Sequence, residues 1–197
     1  MRKCGMILMD ATPIIFLAKI NQLDLLLAFD IPIYLPKEVE YETVAKLAAK
    51  ENRDQNEEEQ LIADFFSKQS LLKRVFIIKT LVCEIVEIKR REDPNFSSQG
   101  DGEVAANSLF LNRGSYGIDG PALLLYEDTD VKTVFQQQDV HFLTTYGLLV
   151  AMEKAGHIKS AKDEWEFLNL QYANNIAPNN EDFSNRGGSV YAIKPPK

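Results

Sequence analysis

The stretch MILMDATPIIFLAK, residues 6–19, decides the fold class. Met6 to Met9 is an unbroken apolar run, the pattern of a strand covered on both faces. Asp10 ends it. Thr12 then offers an N-cap side chain, and Pro13 suits a first helical position, where its missing N–H costs no intrahelical bond. Residues 14–19 continue as an apolar helix. A buried strand, an acidic exit and a helix, repeated along the chain, argue for a parallel sheet with helices on both faces.

That alternation recurs downstream. Residues 31–35, 75–78, 122–125 and 140–143 read as four further short strands. Helices are expected over 23–29, from Pro36 through Glu42 towards Lys50, and along the face of Leu61, Ile62, Phe65 and Phe66. Residues 80–91 fit a helix, with a strand left open by the period-2 alternation over 82–88. Further helices are expected over 101–112, 131–137, 145–155 (closed by Gly156) and 162–172. Residues 51–59 are polar and mostly acidic, residues 114–121 form a glycine-rich loop, and residues 174–197 read as an extended tail rich in Asn, Gly and Pro. The expected fold class is α/β, a three-layer α/β/α arrangement around a parallel sheet of about five strands. Residues 1–160 would form the domain, and residues 161–197 a C-terminal helix and tail.

Composition sets outer limits. A chain of 197 residues is long enough for one domain with additions, at roughly 150 residues per domain. Cys4 and Cys83 allow at most one disulfide and form no CxxC pair, which suits a reducing cytoplasm. Arg2 and Lys3 precede an apolar run, but Asp10 breaks it too early for a signal-peptide core. No segment reaches the roughly 20 apolar residues that span a bilayer, so a cytoplasmic protein without a membrane partner is expected. The 22 basic and 29 acidic residues leave a net charge of −7, which argues against broad electrostatic coating of nucleic acid. Much of that acidity is local: residues 37–60 hold eight acids against four bases.

Ligands of open parallel sheets bind beyond the carboxyl ends of the strands. Asp10 leaves the first expected strand and Glu127-Asp128 the fourth. Glu42 lies about two turns into the helix after the second strand, and Asp101 and Glu103 open the helix before the fourth. Each has an ordinary explanation taken singly: a strand-end turn, a solvated helix face, or a helix first turn that favours negative charge. Their joint placement is what points to function. Like charges gathered at one edge are costly unless a cation holds them, and carboxylate-only ligands favour Mg²⁺ or Mn²⁺ over zinc.

Five segments in order resemble the PIN-domain family. Residues 9–19, opening Met9-Asp10-Ala11-Thr12, resemble its Asp-Ser/Thr start, and Pro36, Val39 and Glu42 match its Pro-x-x-Val-x-x-Glu. Residues 100–106 are similar to its Gly-Glu-x-Glu-Ala segment. Residues 124–128, with Lys132 behind them, resemble its Asp-Asp-x-x-x-Arg stretch, and residues 144–149 its Gly-Thr-x-Gly-x-Leu. Glu127 stands where that pattern has Asp, and Lys132 where it has Arg, losing the bidentate fork. The matches run from residue 7 to about 158 and do not cover the tail.

The resemblance implies a metal-dependent ribonuclease, often the toxin of a toxin–antitoxin pair, and a possible homodimer. It puts Asp10, Glu42, Glu103 and Asp128 in the metal site. Asp10 and Asp128 would be inner ligands, Glu103 would serve a second ion or a bridging water, and Glu42 would position water or act as a base. Asp101, Glu127 and Asp130 stand around them, and Thr12 or Thr145 could orient a water or phosphate. RNA contacts would come from Lys73-Arg74, Lys89-Arg90-Arg91, Arg113, and Lys154 with Lys159. His141, His157, Trp165 and Phe167 read as structural.

Two rivals stand beside this reading. A catalytically silent PIN-like module would bind a protein partner or RNA. A phosphatase with a covalent aspartate would need a second Asp two residues after Asp10, where Thr12 stands. No GxxxxGK[ST] loop is present for a P-loop ATPase.

Overall fold

The computed structural model describes residues 4–51, 54–93, 96, 100–128, 131–135, 139–172 and 193–196. Five strands, β1 (Met6–Met9), β2 (Ile33–Pro36), β3 (Val75–Ile78), β4 (Ala122–Tyr126) and β5 (Val140–Thr144), pair in parallel in the order β3-β2-β1-β4-β5. The central strand β1 is fully buried, and its side chains divide with period two. Ile7 and Met9 join one core with Ile33, Leu35, Leu123 and Leu125, while Met6 and Leu8 join a second with Leu124, Tyr126 and Phe110. Each such buried side chain contributes about 1.5–3 kcal/mol, which is why an unbroken apolar run is kept where both faces are covered.

Helices α1 (Ala11–Lys19), α2 (Lys37–Val44), α3 (Lys46–Glu51) and α4 (Glu57–Leu71) lie in the first half. They are followed by α5 (Leu81–Glu92), α6 (Asp101–Leu111), α7 (Val131–Val134), α8 (Thr145–Lys154) and α9 (Ala161–Tyr172). Short 3-10 turns span Leu23–Ala28 and Arg113–Tyr116. The first core is covered by α1, α4, α8 and α9, the second by α6. Helix α9 places Ala161, Trp165 and Leu168 in the first core, with Trp165 edge-on to Phe16 and Tyr146. At the other end of the chain, Ile193 bridges Phe29 and Lys194 N–H donates to Ala28 O at 2.7 Å.

Three local expectations need correction. Asp10, not Thr12, is the N-cap of α1, and Pro13 is its third residue. Asp10 N–H still donates to Leu125 O at 3.0 Å, so the residue keeps its extended backbone and the helix begins at once after it. Pro13 stands in the first turn, where a helix start leaves backbone N–H groups unpaired, so a proline that lacks one is tolerated there. The single helix expected from Pro36 towards Lys50 is broken at Ala45 into α2 and α3. Thr43 Oγ1 donates back to Val39 O (3.1 Å) and Glu40 O (2.9 Å), a bonding pattern that bends helices, and Gln55 Nε2 caps Val44 O at 2.8 Å. Phe167 is 45% exposed rather than packed.

The acidic stretch has a structural use. Asn56 accepts from Glu59 N–H and Glu59 accepts from Asn56 N–H, both at 2.8 Å, a capping box that opens α4 with Glu57, Glu58 and Glu59 in its first turn. Helix α8 starts on Thr144, whose Oγ1 accepts from Gly147 N–H at 3.0 Å, and ends at Gly156, whose φ of 81° permits the left-handed closing turn. Residues 81–92 form a helix and not a strand. No helix among the described residues is long and apolar enough to cross a membrane.

Candidate active site

The strand order places a crevice at one edge. The chain runs outward from β1 through β2 to β3, then returns to β4 on the opposite side of β1. Such a reversal opens a gap beyond the carboxyl ends of the two strands it separates, here β1 and β4. Register fixes what lines the gap: Met9 pairs with Leu125, and Tyr126 with Thr144. Asp10, Glu127 and Thr145 therefore leave three neighbouring strands at closely matched heights.

Asp10 is only 8% exposed. Burial pushes its carboxyl up to about 6; the amides of Ala11 and Thr12 pull it down, and Glu103 and Asp128 push it up further. Glu42 is pushed up to about 7, first by burial, against the opposing Lys46 ammonium, with Asp10 and Glu38 adding repulsion. Glu127 is raised by burial and by Asp10, and held down by Thr145. These mutual effects link Asp10 with Glu42, Glu103, Glu127 and Asp128, carried by four different segments.

Two contacts set the position of Glu42. Its Oε1 meets Lys46 Nζ at 3.1 Å. Its Oε2 lies against α6 at Gly102, where an added Cβ would stand 2.5 Å away. Only a residue without a side chain leaves room for the Glu42 oxygen where it stands. Sequence reasoning missed both groups. Lys46 carried a usable signal, since it is four residues after Glu42; Gly102, between Asp101 and Glu103, becomes legible only when α2 and α6 meet.

Glu127 is tied to a helix start: Thr145 N–H donates to its Oε1 at 2.7 Å. The Thr145 side chain lies fully buried beside it. In the first turn of α6, Asp101 Oδ2 is likewise buried with no hydrogen-bond partner. Thr12 sits in the first turn of α1 and turns its N–H towards Asp10. Asp128 is exposed just past β4. Asp130 lies outside the described residues.

The donors fit a hard divalent cation in kind: a buried Asp10 repelled by Glu103 and Asp128, with an orphaned carboxylate oxygen on Asp101 two residues from Glu103. As the side chains stand, no group of three or more Asp, Glu, His or Cys among the described residues converges on one point. Asp10, Glu103 and Asp128 would have to turn together to hold an ion.

Several side chains expected to contact RNA make bonds within the chain. Arg74 donates to Leu27 O (3.3 Å) and Phe29 O (2.6 Å). Arg90 forms a two-pronged pair with buried Glu38 and lies over the Tyr41 ring. Arg113 binds Asp139, Phe110 O and Gly120 O. His141 sits mid-strand opposite Leu123, and a ring nitrogen of His157 meets Lys194 O at the foot of α8.

The family model DUF3368, described as a PIN domain, matches residues 6–171. No curated protein and no solved structure gives a significant match.

Proposed function

The chain belongs to the PIN-domain family, and on that footing we propose that it is a Mg²⁺- or Mn²⁺-dependent endoribonuclease. The observation that carries the proposal is the gathering of carboxylates around the buried Asp10 at the gap between β1 and β4. When bound, the ion supplies Lewis-acid stabilisation of phosphate charge and acidifies a water. Asp10, Glu103 and Asp128 would hold it. Glu42, raised to about 7, can accept a proton from a water through a carboxylate oxygen at neutral pH. Glu127 anchors the start of α8 and with it the wall of the gap.

The test is RNA cleavage by the parent and Asp10→Asn with Mg²⁺ or Mn²⁺. Several kcal/mol of lost charge stabilisation corresponds to about 100-fold or more in rate. Equal rates would sink the site. A toxin role would show as growth arrest on expression, relieved by a co-expressed antitoxin encoded nearby, and a homodimer as twice the chain mass in sedimentation.

One observation favours a second reading, a silent PIN-like module that binds RNA or protein. No three carboxylates among the described residues converge as they stand, and Glu127 is already engaged by Thr145. Calorimetry separates the two: no heat from Mn²⁺ at millimolar concentration selects the silent module.

A further inference from the structure

Lys46 opens α3, one residue past the break at Ala45. Its ammonium lies 3.1 Å from Glu42 Oε1, with 39% of the Lys46 side chain exposed against 13% for Glu42. Other cations serve acids outside the gap: Lys37 pairs with Glu40, Arg90 with Glu38, and Arg113 with Asp139. An ordinary i,i+4 pair lies on one continuous exposed helix and contributes little to stability. This one spans a helix break, and its acid is a desolvated site carboxylate pressed from the other side by Gly102.

We propose that Lys46 is a substrate-binding residue that occupies Glu42 as an internal counter-ion and, once a divalent cation holds the site, engages a backbone phosphate of single-stranded RNA. The proposal rests on the metal-dependent reading above. A second cation arriving at the same carboxylates repels the ammonium, which loses part of its reason to stay on Glu42. Its four-carbon stem already reaches water, so release needs rotamer changes and no movement of the backbone. A phosphodiester is the anion that a substrate strand brings to this edge, and a lysine meets it as a point charge.

Two binding measurements on the full chain test this without reference to cleavage. The first is calorimetric titration with Mn²⁺ alone of the parent, Lys46→Met and Lys46→Arg. Removing one like charge is expected to tighten Mn²⁺ about 3- to 10-fold in Lys46→Met, with Lys46→Arg close to the parent. The second is fluorescence anisotropy of a 12-nucleotide 2′-O-methyl phosphorothioate RNA in Mn²⁺ across a salt series. Lys46→Met is expected to bind it more weakly, with the log–log salt slope smaller by about 0.7, one phosphate contact on a single strand. Unchanged or weaker Mn²⁺ binding by Lys46→Met overturns the counter-ion role while leaving the metal site standing. An unchanged salt slope overturns the phosphate role. Absence of Mn²⁺ binding in all three proteins overturns the metal-dependent reading and this proposal together.

Discussion

Gly102→Ala is the most local test of whether the contact between α2 and α6 positions Glu42. Gly102 is the second residue of α6 and does not adopt a left-handed backbone, so alanine fits its conformation. In isolation the change favours the helix by up to about 0.5–1 kcal/mol. The new Cβ, however, would stand 2.5 Å from Glu42 Oε2, and 3.4 Å from both Glu42 Cδ and Val39 Cγ2. The carbon contacts are already at the tight edge of van der Waals distance, so the oxygen must give way by about 1 Å to reach a comparable separation. Glu42 is a side-chain end and can yield cheaply, so stability should stay within about 1 kcal/mol of the parent, a Tm change of roughly 2–4 °C at most. Position is another matter, since a misplacement of about 1 Å in a reacting group costs about 100-fold in rate. The assay pairs Mn²⁺-dependent cleavage of a labelled RNA with thermal denaturation of the same preparation. The expected result is a kcat lower by about two orders of magnitude with a nearly unchanged Tm. Full activity at unchanged Tm would refute the placement of Glu42 in the machinery, and a fall of more than 10 °C would refute the claim that Glu42 yields cheaply.

Three further outcomes follow from the charges. Asp10, raised from 3.8 to about 6, binds a proton in the folded chain where the unfolded chain has released it. Its contribution to stability is therefore full below pH 4 and lost as pH rises through 6, by up to roughly 3 kcal/mol. Glu42, at about 7, extends the loss to higher pH. Without divalent ions, Asp10→Asn should melt higher than the parent at pH 7.5 and close to it at pH 4; an equal difference at both pH values would contradict this. Arg90→Ala strands Glu38, whose side chain is 2% exposed, so unfolding in urea should show a loss of about 3–5 kcal/mol. Glu127→Ala leaves the Thr145 N–H without its acceptor at 2.7 Å, and a loss of about 1–3 kcal/mol is expected in the same measurement, with a parent-like midpoint arguing against a helix-anchoring role.

Much of the fold is legible one segment at a time. The apolar runs at 6–9 and 122–126 are strands because burial on both faces demands unbroken hydrophobicity, a requirement written into consecutive residues. Gly156 and Thr144 show the same economy, each ending or starting α8 through its own backbone or hydroxyl chemistry. Local reading failed where partners lie elsewhere. Asp10 caps α1 because its N–H is held by Leu125, more than a hundred residues away, and Phe167 lies outside because α9 turns Trp165 and Leu168 inward. The arginines expected to meet RNA are drawn into pairs with Glu38, Asp139 and backbone carbonyls that no spacing rule reveals.

For the candidate site the division falls in the same place. Asp10, Glu42, Asp101, Glu103, Glu127 and Asp128 could be named from their positions after strands and in helix turns, because residue type and the parallel α/β pattern are properties of the linear chain. Which strands stand side by side is a property of the whole sheet. Only the order β3-β2-β1-β4-β5 puts the exits of β1 and β4 together and opens the gap between them. Only the packed chain desolvates Asp10 and Glu42 enough to raise their pKa values, since burial depends on every neighbour at once. And only the approach of α6 to α2 gives Gly102 a role, because a contact of a few ångströms between distant segments has no trace in either segment alone.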